Sequence, residues 1–150
     1  MSPQPAPKRA HRPAWLTRAA WAALFVYGVT LAAIALWPTH VDEPASDLIR
    51  TVTRAISWLT YPRIEFAANI ALFIPFGALL SILFPKGRWW LVIAAAVATS
   101  ITAELLQMLA ADRTSTVQDV VANTSGAALG GLIVYLAAKL AEKRQGRPIP

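Results

Sequence analysis

The sequence predicts an all-α fold: an integral-membrane bundle of four transmembrane helices with an outer interfacial helix. Three observations predict it. Of the 150 residues, 56% are hydrophobic and only 15% charged, whereas a soluble domain carries about 25% charged residues. The apolar residues gather into four blocks, at about 19–37, 65–84, 89–111 and 117–140, each near the ~20 residues needed to cross a ~30 Å hydrocarbon core. The Lys and Arg residues stand at the ends of those blocks rather than inside them. One membrane domain over residues 19–140 therefore accounts for the chain between a basic N-terminal tail, 1–18, and a basic C-terminal tail, 141–150.

The tail at 1–18 combines Pro3, Pro5, Pro7 and Pro13 with Lys8, Arg9, Arg12 and Arg18, a composition that cannot bury a core and reads as disordered. The block from Ala19 to Trp37 has no charge. A basic start followed by Ala33 and Ala35 also resembles a secretory signal, but the run exceeds the ~7–15 residues of a signal core, so an uncleaved anchor is expected. The connection from Pro38 to Arg63 opens with Asp42, Glu43 and Asp47. It continues with Leu48, Ile49, Val52, Ile56 and Leu59 at helical spacing, Arg50 and Arg54 opposite. That pattern suits a helix in the membrane interface, or one folded over the bundle mouth.

The second span contains Asn69, Pro75 and Gly77. Proline removes a backbone donor, so in lipid a neighbour must satisfy the carbonyl it frees. Lys86 and Arg88 mark a positive turn, and Trp89 and Trp90 open the third span as interfacial anchors. The second half of that span is unusually polar, with Thr99, Ser100, Thr102, Glu104 and Gln107. After a turn at Asp112–Thr116, the pairs Ser115/Gln118 and Thr116/Asp119 match the offset of a capping box, and the fourth span follows.

With four spans, ten of the fourteen Lys and Arg residues fall on the side of the two termini and the Lys86 turn. Arg50, Arg54, Arg63 and Arg113 occupy the other. The positive-inside rule then puts both termini in the cytoplasm. On the opposite side the second span enters with Asn69, the third leaves with Glu104 and Gln107, and the fourth re-enters with Asp119 and Asn123. At ~1.5 Å per residue, Glu104 lies about 22 Å along its helix from Trp89, roughly two turns below the outer surface.

Glu104 and Gln107 share one helical face, as do Asp119, Asn123, Gly126 and Gly130. A charge in the bilayer centre costs ~2.5–3.5 kcal/mol on the insertion scale. Glu104 is therefore expected to be protonated, paired or in contact with water, with Arg113 as the nearest partner. The same residues also fit a packing network without ligand, since interhelical hydrogen bonds are an ordinary membrane device; Asp119 suits a helix cap as well. Gly126 and Gly130 form a small-residue motif that packs against another span or, less simply, joins two copies in a dimer.

The net charge of +6 does not point to nucleic acid, because the basic residues form no single face interleaved with aromatics. The chain has no cysteine, which removes thiolate metal sites and cysteine nucleophiles. His11 and His40 fall in a tail and a loop, away from the polar residues. No metal and no cofactor are expected. A carboxylate acid or base at Glu104 or Asp119 remains as catalytic chemistry.

The run Asn69-Ile70-Ala71-Leu72-Phe73-Ile74-Pro75-Phe76-Gly77, with Glu104 and Gln107, Arg113, Asp119, Asn123, Gly126 and Gly130, resembles the VanZ-like membrane protein family. The pattern N-x3-F-I-P-x-G, E-x2-Q, R, D-x3-N-x2-G-x3-G covers roughly Asn69 to Gly130. The resemblance implies a protein of the bacterial envelope, since the family takes its name from a teicoplanin-resistance determinant, and it brings no established reaction. The expected function is binding of an envelope lipid, a peptidoglycan precursor or a glycopeptide in an outward pocket of Asn69, Glu104, Gln107, Arg113, Asp119 and Asn123. Pro75, Gly77, Gly126 and Gly130 are expected to shape the helices. The alternatives are a membrane-embedded enzyme acting on a lipid-linked substrate through Glu104 or Asp119, or a scaffold without ligand. A transport path is disfavoured because Leu91–Ala98 carries no polar residue.

Overall fold

The computed structural model describes residues 14–35, 46–84, 87–110 and 117–144. All regular structure among them is helical: α1 (Ala14–Ala35), α2 (Ser46–Ala55), α3 (Tyr61–Leu83), α4 (Trp89–Ala110) and α5 (Val117–Arg144). α1, α3, α4 and α5 are each long and apolar enough to cross a membrane. The chain is a multi-pass membrane protein.

Helix boundaries follow local chemistry. α1 is already helical at Ala14, upstream of its uncharged run. α3 starts at Tyr61 with Pro62 in its first turn, where the missing N–H has no intrahelical partner to lose. It runs unbroken through Pro75 to Leu83. α5 continues past Leu140 to Arg144, so Lys143 and Arg144 form its last turn, where cations complement the carbonyl end of the helix. The residues of the expected capping box, Ser115 and Thr116, lie outside the described residues.

α2 is short, polar on average and strongly amphipathic, and it forms no extensive packing with any other helix. Leu48 is mostly exposed. Ile56 and Leu59 belong to the turn that follows, closed by bonds from Ile56 N–H to the Val52 carbonyl and from Leu59 N–H to the Ile56 carbonyl.

α3 and α5 form the spine of the bundle and run parallel in constant register. Asn69 is level with Asp119, Gly77 with Ala127 and Ser81 with Gly131, an offset of 50 residues. Their backbones nearly touch: a Cβ on Gly77 would fall under 3.0 Å from the Ala127 backbone, one on Gly126 from the Ile70 carbonyl, and one on Gly130 from the Ile74 carbonyl. Lipid tails compete for apolar surface as well as another helix does, so close backbone approach supplies the attraction that burial supplies in water. The glycine face of α5 is thus occupied within the chain. α4 and α1 pack around this pair through Phe73, Phe76, Leu80, Val92, Ala96, Ala127 and Leu31, with Phe73 edge-on to Phe76 at 5.5 Å between ring centroids.

Most large apolar side chains face outward, among them Phe25, Val29, Leu132, Ile133 and Leu136, as a lipid-facing surface requires. Aromatic residues stand at both ends, Trp58 and Tyr61 at one, Trp89, Trp90 and Tyr135 at the other. Lys139 Nζ sits 4.9 Å from the Tyr135 ring centroid.

Candidate functional site

The polar side chains gather where α3 and α5 begin and α4 ends. Asn69 on α3 donates from Nδ2 to Asp119 Oδ1 on α5 at 2.9 Å. One turn deeper on α5, Asn123 donates from Nδ2 to Ser100 Oγ on α4 at 2.8 Å. Four residues after Ser100 on the same α4 face comes Glu104, whose Oε1 is buried. Three helices therefore contribute Asn69, Ser100, Glu104, Asp119 and Asn123 to one region, joined by two cross-helix hydrogen bonds.

The region is graded in depth. Ser100 is 0% exposed and Asn123 8%, while Asn69, Glu104 and Asp119 are half-buried. A buried amide without its partner costs ~1–3 kcal/mol, so the Ser100 bond fixes Asn123 and, through it, the spacing of α4 and α5. Asn123 Oδ1 and Thr124 Oγ1 are buried and accept no hydrogen bond. The outer three residues keep surface through which another molecule can reach them. Asp119 directs one carboxylate oxygen across to α3, which goes beyond the capping role its position suggests.

Gln107 lies within α4, but its side chain is outside the described residues, as is Arg113 altogether. Of the helix-shaping residues, Gly77, Gly126 and Gly130 are the contact points of α3 with α5. Pro75 is exposed on α3. No group of three or more metal-ligating His, Asp or Glu residues occurs among the described residues.

The model of the VanZ/LLP1 family matches residues 15–138, most of the chain and all of the four-helix bundle but its ends. The chain belongs to the VanZ/LLP1 family. No match to it is found among curated proteins or among solved structures. In this VanZ/LLP1 member Asn69, Asp119 and Asn123 make the cross-helix hydrogen bonds, and Gly77, Gly126 and Gly130 form the contact beneath them.

Two features of the region had little sequence signal. Ser100 is the buried partner of Asn123; in sequence it is one of several polar residues in the second half of α4, set apart by its four-residue spacing from Glu104. Tyr27 on α1 donates its hydroxyl to the Leu72 carbonyl on α3, one residue from Ala71, whose carbonyl Pro75 cannot serve. That bond ties α1 to the proline-containing turn.

Proposed function

We propose that this VanZ/LLP1 member is a bacterial cytoplasmic-membrane protein that binds the polar part of an envelope lipid, a cell-wall precursor or a glycopeptide antibiotic. The site is an outward-facing pocket of Asn69, Glu104, Gln107, Arg113, Asp119 and Asn123, and its occupation modulates envelope properties or glycopeptide susceptibility. The observation that carries the reading is the convergence of Asn69, Asp119 and Glu104, from three helices, at an end of the bundle where they stay half-buried rather than sealed. Polar groups held in place before a ligand arrives lose little entropy on binding it. Amide and carboxylate groups fix the orientation of a polar headgroup, and Arg113 would meet its phosphate or carboxylate.

Binding of labelled envelope lipid, cell-wall precursor or glycopeptide to the purified protein tests the site. Glu104→Gln, close in shape, is expected to weaken binding while accumulating normally. Unchanged binding by a folded Glu104→Gln variant would count against the reading.

The charge distribution supports a cytoplasmic position for both termini. The chain lacks cysteine, so Ser115→Cys gives a single reporter between α4 and α5. Labelling by an impermeant thiol reagent from the outside is expected; labelling only from the cytoplasmic side reverses the orientation and removes the extracytoplasmic ligand.

A further inference from the structure

An open groove of about 400 Å³ lies at the same end of the bundle, lined by Thr60, Pro62, Arg63, Phe66 and Gln118. None of these residues belongs to the cluster around Glu104. The two regions adjoin: Arg63, Phe66 and Asn69 follow one another on α3 at the three-residue spacing of neighbouring helix side chains, and Gln118 precedes Asp119 on α5. At ~1.5 Å per residue, Arg63 stands about 9 Å above Asn69 along the helix.

Arg63 is the charged member of the lining. It donates from Nη1 to the Trp58 carbonyl, so the guanidinium is held against the turn before α3. A guanidinium carries five N–H donors, and this bond leaves others for an oxyanion. Thr60 makes no side-chain capping bond, and Gln118 adds an amide. Pro62 and Phe66 form a carbon wall beside these donors. Trp58 and Tyr61, both exposed, place the groove at the level where amphipathic aromatics meet lipid headgroups.

A fixed cation and neutral donors next to an apolar wall match an anion that is attached to hydrocarbon. We propose that this groove is a headgroup site for an anionic phospholipid. Arg63 holds the phosphate, Thr60 and Gln118 hydrogen-bond its oxygens or the glycerol, and Phe66 covers the first carbons below. The site is distinct from the Glu104 cluster and stands without it.

Native mass spectrometry of the full-length protein released from mixed phosphatidylglycerol and phosphatidylcholine vesicles tests the assignment. Phosphatidylglycerol is expected to be retained in preference to phosphatidylcholine. Arg63→Gln lowers that retention about tenfold, the scale of one charge-assisted hydrogen bond, and Gln118→Leu lowers it about threefold on the same reasoning. Arg54→Gln on α2, outside the groove, leaves it unchanged, which separates the groove from a general effect of basic charge at this surface. Excess inorganic phosphate is not expected to displace the lipid. Equal retention of the two lipids, unchanged retention in Arg63→Gln, or displacement by inorganic phosphate would overturn the proposal. If Arg63→Gln fails to accumulate, unchanged retention in Gln118→Leu does so.

Discussion

The two halves of the α3–α5 pair hold together by different means. Toward the start of the helices the contact is made by side chains, Asn69 to Asp119, with Asn123 turned to Ser100 on α4. Immediately below, at Gly126, Gly77 and Gly130, side chains disappear and the backbones meet. In the first half Asn69 and Asp119 are half-buried, and in the proposed reading they are the groups that exchange partners for a ligand. The second cannot change without moving the helices. If the polar end binds a ligand as proposed, one helix pair divides fixed contact from exchangeable contact along its length.

Substitutions should separate the halves by the size of their effect. Gly77→Leu or Gly130→Leu must push α3 from α5, because the obstructing atoms are backbone. A loss of about 3 kcal/mol, at the upper end of overpacking costs, is expected in denaturant titration of the detergent-solubilised protein. Gly28→Ala on α1 meets nothing within 4 Å and should be neutral or stabilising by up to ~1 kcal/mol. Equal losses in the two would remove the distinction between contact glycines and others.

Asn123→Leu comes next. It breaks the bond to Ser100 in a place without solvent, and about 1–2 kcal/mol should be lost. Smaller still is the coupling of Asn69 with Asp119. A double-mutant cycle of Asn69→Ala and Asp119→Ala should return about 0.6 kcal/mol, the usual worth of one interhelical hydrogen bond in a membrane. A coupling as large as the glycine effect would make the polar end a structural clamp.

The architecture was legible because lipid imposes length and composition on every span. Four apolar blocks with basic ends became α1, α3, α4 and α5, and Gly126 and Gly130 face another span, as their spacing suggests. Asn69, Glu104, Asp119 and Asn123 stood out as polar groups in apolar runs, and the helical period placed them on shared faces. What escaped was whatever depends on register between helices. Ser100 is one of several polar residues in the second half of α4, with only its spacing from Glu104 to single it out until α5 sets Asn123 opposite it. Tyr27 bonds a backbone carbonyl, which has no signature in sequence. The groove of Arg63, Phe66 and Gln118 joins the starts of two helices far apart in the chain. The expected interfacial helix is shorter than its apolar spacing implies, since the chain turns at Ile56.

The central claim is that the polar end binds a ligand and the glycine contact bears the fold. Glu104→Gln, measured for unfolding stability and for ligand retention on the same preparation, tests it most directly. The account predicts stability within ~0.5 kcal/mol of wild type, as for substitutions that leave packing intact, together with a large loss of retained envelope ligand. A destabilisation comparable to Gly130→Leu with retention unchanged would contradict it and make Glu104 a packing residue.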